Sequence, residues 1–406
     1  MAKRWNRMET WLTLGVLGVG GVVAFVAGLW IYVSATTTPL HPDPRAVSAV
    51  PERTPDTQWT GAAERARELV KAAVAEQNLP GVSVAVGAGE EVVWAEGFGF
   101  ADLDKRTPVT PATWFRIGTA STLLTSAGVG LLLEQGRLKL DEEIQTYLPE
   151  FPKKEWPVTL RHIMGHVAGL RNDGGDESVL FSEHCDRPVE ALRHFADRDL
   201  LFEPGSQYRY SNYGFIVVSA AIEAAAREPF LSYMRKQVFE PLGMNDTTAD
   251  LANEPVPEKA TPYFPRFAAD TRYGPDPMRP LDLSCYSGAS LFQSTASDMV
   301  RFGLAIDHGK LLKPETVALL QTSARLPSGQ ETGYGLGWDL ENVTVAGKPT
   351  QTVGDDGAVL GGTAVSVLTF REPALVIAVL SNTSYADTAA IALTIAEAFA
   401  PATGRQ

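Results

Sequence analysis

The sequence predicts an α+β fold, an antiparallel sheet flanked by helices with an all-helical insertion, preceded by one N-terminal transmembrane helix. Three observations carry this expectation. Strand-like runs lie towards both ends of the chain, and a block of helices and loops, roughly residues 153–282, separates them. From Leu123 to Leu133 runs a helix that is apolar nearly all round, which belongs in the middle of a domain. Strands from the two ends meeting in one sheet, with helices packed on it, is the layered arrangement that buries such a helix. With 406 residues, 45% of them hydrophobic, the chain can bury a large core.

The elements follow in order. Residues 1–10 read as a short cytoplasmic N-terminus, and Lys3, Arg4 and Arg7 keep it there. Trp11 to Val33 holds no charged residue and, as a helix, measures about 34 Å, enough to span a bilayer. Its length favours an uncleaved signal anchor over a cleaved signal peptide, although Val33-Ser34-Ala35 is compatible with cleavage. This makes the lipid bilayer, through residues 11–33, the first partner, and places the large domain outside the cytoplasm, in a bacterial periplasm or at the cell surface. Gly20, Ala24 and Gly28 form a small-residue stripe suited to helix pairing.

Residues 34–60, rich in proline, read as an extended tether. The domain proper is expected over 61–402. A helix is predicted over 62–76, strands over 82–86 and 92–98 as a hairpin, and a loop over 102–110. In the helical block, helices are predicted over 159–170, 188–200, 214–227 and 229–240. A helix over 295–308 interrupts the returning strands, which are placed after Tyr334, over 359–370 and over 374–381. A last helix runs over 385–400.

Gly118 breaks the segment before the central helix, and Thr119 and Ser121 are good N-cap residues. A helix N-terminus carries partial positive charge and unpaired N–H groups, which suits a nucleophile or an anion. The stretch FRIGTAST (115–122) resembles the nucleophile helix of the serine β-lactamase and penicillin-binding-protein superfamily, especially its class C-like branch with esterases and LACTB-like serine hydrolases. The segments PGVSVAVG, EGFGFAD, TPATWFRIG, LPEFP, FEPGSQYRYSNYGF and YGLGW support the same resemblance. It implies an active site at the seam between the sheet and the helical region.

The family begins this helix with Ser-x-x-Lys, and here Thr119 stands at the serine position and Thr122 at the lysine position. Ser-x-x-Lys occurs nowhere in the chain. The resemblance makes Tyr210 the base or proton relay and Asn212 a substrate-binding amide, in the Tyr-x-Asn motif Tyr210-Ser211-Asn212. From the residues alone, Tyr210 packs a loop and Asn212 caps the helix that follows. The strand motif Lys/His-x-Gly aligns with Gly354-Asp355-Asp356-Gly357, making Asp355 and Gly357 substrate-facing positions. Read locally, Asp-Asp-Gly is a turn. An anion at Asp355 would repel substrate carboxylates and raise the pKa of Tyr210, opposing base catalysis.

His162 and His166 share a helix face but lack the glutamate and third ligand of a zinc site, so a structural hydrogen-bonding role is expected and no metal. No cofactor motif is present. The net charge of −13 argues against nucleic acid. Cys185 and Cys285 are able to pair in an oxidising compartment, but sequence does not show that they do.

The expected function is a membrane-anchored serine hydrolase-like protein whose acyl transfer is lost or strongly reduced, holding a small-molecule or peptide ligand in its cleft or acting as a scaffold. Two alternatives stand beside it. One is an active hydrolase of esterase, peptidase or β-lactamase type, with Thr119 as nucleophile and Tyr210 as relay. The other is a self-associating structural membrane protein.

Overall fold

Strands from both ends of the chain do pair into one antiparallel sheet in the computed structural model, which describes residues 2–172, 180–251, 256–359 and 361–403. Its helices are α1 (Ala2–Thr36), α2 (Thr57–Glu76), α3 (Ser121–Glu134), α4 (Leu160–Met164), α5 (Asn212–Ala226), α6 (Phe230–Met234), α7 (Ala296–Asp307), α8 (Pro314–Leu320) and α9 (Thr388–Thr403). The early strands are β1 (Ala49–Pro51), β2 (Gly81–Ala88), β3 (Glu91–Asp102), β4 (Thr107–Pro108) and β5 (Phe115–Arg116). The insertion and its exit hold β6 (Thr248–Ala249), β7 (Tyr263–Pro265), β8 (Pro275–Pro277) and β9 (Phe292–Ser294). The chain closes with β10 (Asp339–Val345), β11 (Lys348–Val359), β12 (Thr363–Phe370) and β13 (Leu375–Ser381).

The main sheet runs β1-β3-β2-β13-β12-β11-β10, with β4 paired to β3. The junction β2–β13, in register from Val82↔Ser381 to Ala88↔Leu375, joins the two ends of the domain. Both strands are buried along their whole length, which is why they read as near-continuous apolar runs. Helices α2 and α9 cover one face, burying Trp59, Val70, Ile391 and Phe399. Helix α7 covers the other, and beyond it α3 and α5 form the helical half of the core. Every residue of α3 from Ser121 to Gly130 is buried. Its polar side chains are satisfied locally: Thr125 donates to the carbonyls of Ser121 and Gly288, and Ser126 donates to Leu336 O and accepts from Trp338 Nε1.

Several boundaries depart from the sequence reading. The helix expected over 159–170 is only α4, because His166 and Gly169 take positive φ and turn the chain into the cleft. Residues Pro188–His194 form a 3₁₀ helix, and α6 passes into a π turn over Arg235–Phe239. The last helix starts at Thr388, since Tyr385 sits at φ 63° and cannot be helical. Helix α8 has no counterpart in the sequence reading, and β11 appears there only as the strand motif that the resemblance aligns with Gly354–Gly357.

Residues 34–60 are no free tether. Leu40 N donates to Asn78 Oδ1, the His41 ring meets Leu79 O, and β1 adds an edge strand against β3. Helix α2 starts at Thr57 rather than Ala62, so the folded domain begins before residue 61. The prolines favour extended backbone, and unpaired groups on the β3 edge give it a place to lie. Helix α1 is one unbroken element, and its Val19–Thr36 stretch is long and apolar enough to cross a membrane. Phe25, Trp30, Ile31 and Tyr32 are exposed on it, and a side chain added at Gly20 or Gly28 would meet nothing within 4 Å.

Cys185 and Cys285 form a disulfide that closes a loop of sequence separation 100, next to Phe181 and Tyr286. Chain-entropy arguments and measured removals put such a cross-link at about 2–5 kcal/mol. The Cys185→Ser/Cys285→Ser double variant is therefore expected to lose about that much stability in urea unfolding, and reductant should bring the native protein to the same curve. Coincident native and variant curves without reductant would contradict the cross-link.

Candidate functional site

Five parts of the chain converge on a cavity of about 420 Å³: β5 with the turn before α3, the segment at Phe181, the entry to α5, the loop before β9, and strands β10 and β11 with the turn after β11. Thr119, Tyr210, Asn212, Asp355 and Gly357 all line it. Thr122 lies one turn deeper in α3, fully buried. The six positions selected from sequence are thus in one place, and what each side chain does there differs from its local reading.

Thr119 is not a helix cap. Gly118–Ala120 forms a 3₁₀ turn, Ala120 is the residue flanking α3, and no side chain caps it. The Thr119 hydroxyl instead crosses to the sheet and donates to Asp355 Oδ1 at 3.0 Å. Gly354–Gly357 is likewise no turn. It lies in the middle of β11, paired Asp355↔Val367 and Gly357↔Val365 with β12. Strand alternation puts Asp355 and Gly357 on the face towards α3. Gly357 is the point of closest approach, since a Cβ there would stand 2.0 Å from Thr119 Oγ1. Asp356 turns to the other side, where Ser366 Oγ donates to its Oδ1 at 2.7 Å.

Asn212 does not cap α5 either; it is the first helical residue, Ser211 flanks it, and its buried Oδ1 has no protein partner. Beneath the cavity, His166 packs against Tyr210 and Tyr334 with ring centroids 4.1 Å and 4.5 Å away. Its Nδ1 accepts from Ser211 N, which puts the ring proton on Nε2, where it is buried without a partner. Burial pushes the His166 pKa down to about 3, so the ring is neutral. His162 completes a capping box with Thr159. Both histidines are structural in this geometry.

The electrostatics are acidic and proton-rich. Asp339, which sequence reasoning did not single out, opens β10 beside the site. Its carboxyl is raised to about 7, by burial first and then by neighbouring negative charge. Burial and Asp339 push Asp355 well above the usual carboxylate range. Tyr210 is raised well above the ordinary tyrosine value by burial and by the same two aspartates. The cation on the cavity wall is Arg116, and its guanidinium is bound to Asp250 and to Gly361 O. Asp250 also holds Lys259. Thr122, where a lysine would stand, leaves its buried hydroxyl facing that of Tyr334. The opposite wall is apolar, from Phe181, Leu283 and Tyr286. Among the described residues no cluster of His, Cys, Asp and Glu suits a metal ion. Nothing in local spacing points to Asp339 or Arg116, since each is recruited by strand pairing.

Comparison with known proteins follows the same lines. A family model described as Beta-lactamase matches residues 66–400. Serine beta-lactamase-like protein LACTB, mitochondrial, of Homo sapiens is 27% identical over 369 residues, covering 69% of this chain and 66% of that protein. Penicillin-binding protein 4* of Bacillus subtilis (strain 168) is 25% identical over 279 residues, covering 66% of this chain and 61% of that protein. The chain thus spans slightly less than two thirds of the length of these two relatives. An octameric penicillin-binding protein homologue from Pyrococcus abyssi superposes with a TM-score of 0.69 at 24% identity, over 81% of this chain and 75% of that one, a likeness of fold.

Two outcomes test the site's geometry. A carboxyl with a raised native pKa keeps a proton that the unfolded chain has already released, so stability falls as pH rises from about 4 through the native value. For Asp339, raised to about 7, Asp339→Asn is expected to stabilise the protein at pH 8 by on the order of 3 kcal/mol. The gain should fade towards pH 4, as read by urea unfolding across pH. Gly357→Ala is expected to cost about 1–3 kcal/mol by driving Thr119 off its partner. An unchanged unfolding midpoint would contradict the close approach.

Proposed function

The chain belongs to the beta-lactamase family, and from that premise we propose that it is a membrane-anchored member whose acyl transfer is lost or strongly reduced and whose cleft serves ligand binding or scaffolding. The observation that carries this is the hydrogen bond from Thr119 to Asp355, with a threonine in place of the activating lysine. Acyl transfer requires a hydroxyl whose proton can be removed and a cation to make its base effective at neutral pH. Tyr210 cannot supply that base, because its pKa is held above the free value near 10 and the nearby charges are negative. The wall cation Arg116 is engaged by Asp250.

The anchor is α1. Its apolar length and the preceding Lys3, Arg4 and Arg7 support a single pass with the N-terminus in the cytoplasm. The disulfide supports an oxidising compartment for the domain, a periplasm or a cell surface. The cleft, acidic on one wall and aromatic on the other, suits a neutral or cationic small molecule or peptide better than the free carboxylates of many acyl substrates.

One observation favours a second reading. The Thr119 proton points at a carboxylate oxygen, so the pair has the geometry of a nucleophile and its base, with Asp355 rather than Tyr210 receiving the proton. Its opponents are the extra methyl of threonine and the buried negative charge that the deprotonated acid carries.

The two readings separate on covalent labelling. Protein in detergent is incubated with a fluorescent penicillin and with a fluorophosphonate, then weighed intact. No adduct on folded native protein is expected. An adduct that disappears in Thr119→Ala and in Asp355→Asn would establish the threonine hydrolase and end the first reading.

A further inference from the structure

We propose that the hairpin β7–β8 with its connection, residues 263–277, is a membrane-interface element that seats the domain in the phospholipid headgroup layer where α1 leaves the bilayer. The inference rests on the membrane-anchor reading and goes beyond it, since an anchor alone leaves the domain free to stand off from the lipid.

Depth is set by hydrogen bonds from the end of the span. Trp30, near the end of the apolar run, donates from Nε1 to the Tyr273 hydroxyl at 3.0 Å. Thr37 Oγ1 donates to Tyr273 O at 2.9 Å, and Arg266 Nη2 donates to Thr36 Oγ1 at 3.0 Å. Exposed Phe25, Leu29, Ile31 and Tyr32 run up to this docking point. A residue that touches Trp30 of a spanning helix lies at the depth of Trp30, which is the bilayer interface. No spacer intervenes, because residues 37–51 are themselves laid along the domain.

The hairpin has the chemistry for that layer. Phe264, Phe267 and Tyr273 are aromatic, Arg266 is basic with Arg279 two residues beyond β8, and Ala268 and Ala269 form an exposed tip. Asp270 neutralises Arg272 in an ion pair at 2.7 Å and Asp276 offsets Arg266, so the hairpin itself is neutral, and with Arg279 just beyond it the segment carries one positive charge on a chain whose net charge is −13. Aromatic rings prefer the interface, and arginine pairs with lipid phosphate.

Sheet topology fixes what else faces the membrane. Tyr263 N donates to Gly362 O and Asn382 O, so the hairpin sits on the sheet end where β2 begins and β13 finishes. Gly362, at φ 83°, packs so tightly under Met278 and Pro262 that no side chain fits. Its neighbour Gly361 is on the cavity rim, which the hairpin therefore turns towards the lipid. The opposite sheet end carries Ala346, an exposed turn residue at φ 50°, against φ 54° for Ala268.

These matched alanines give the test. Full-length Ala268→Cys and Ala346→Cys, whose native cysteines are tied in the disulfide, are labelled with NBD and reconstituted in phosphatidylethanolamine–phosphatidylglycerol vesicles. Flotation is measured on the same samples. The Ala268 position is expected to show blue-shifted emission, quenching by headgroup-nitroxide lipid and protection from iodide, with the reverse at Ala346. Floating protein whose two labels are equally open to iodide would overturn the hairpin's role and leave the anchor intact. A blue shift at Ala268 without lipid quenching would mean that a second copy covers the tip, which also overturns it. Protein that fails to float overturns the anchor and this inference with it.

Discussion

The hydrogen bond between the Thr119 hydroxyl and Asp355 ties the two halves of the molecule at their seam. One partner sits on the turn that starts the most buried helix, the other in the middle of the twelve-residue strand β11. The contact exists only because Gly357 has no side chain, so the strand can pass over the helix tip. Where the resemblance puts a serine and a polar or cationic strand residue, this chain has Thr119 and Asp355. The contact between them joins a neutral hydroxyl to a carboxyl that burial keeps from ionising freely.

That exchange propagates through the cavity by electrostatics alone. Burial raises both Asp339 and Asp355, Asp339 raises Asp355 further, and the two together raise Tyr210, while Arg116 on the cavity wall is bound to Asp250. In water each of these charges would be worth little to its neighbours, but in a partly dry cleft they act on one another strongly. The result is a family architecture preserved around a reversed local charge. The aromatic wall, next to the Cys185–Cys285 disulfide, borders the open space of the cavity.

The N-terminal part obeys the same logic of local sequence meeting a distant partner. Proline-rich residues 34–60 carry no pattern of their own and read as a tether, yet the exposed edge of β3 and the acceptor on Asn78 fix them to the domain. The N-terminal helix needs no partner to be read as long and apolar enough to cross a bilayer, because its length and charge-free run suffice. Its docking on Tyr273 depends on a residue 243 positions away, which no local window contains.

Period, composition and motif order therefore determined the antiparallel sheet closed by both ends of the chain, the buried central helix, the membrane-length helix and the neighbourhood of the cleft. Each of these follows from short-range signals such as the unbroken apolar runs of β2 and β13. Only the tertiary structure decided that Thr119 turns away from its helix, that Gly354–Gly357 is strand rather than turn, that Asp339 joins Asp355, and that the two cysteines meet. A side chain's hydrogen-bond partner and pKa are set by burial and by residues far away in sequence. A local pattern such as Asp-Asp-Gly is compatible with both conformations until the neighbouring strand chooses between them.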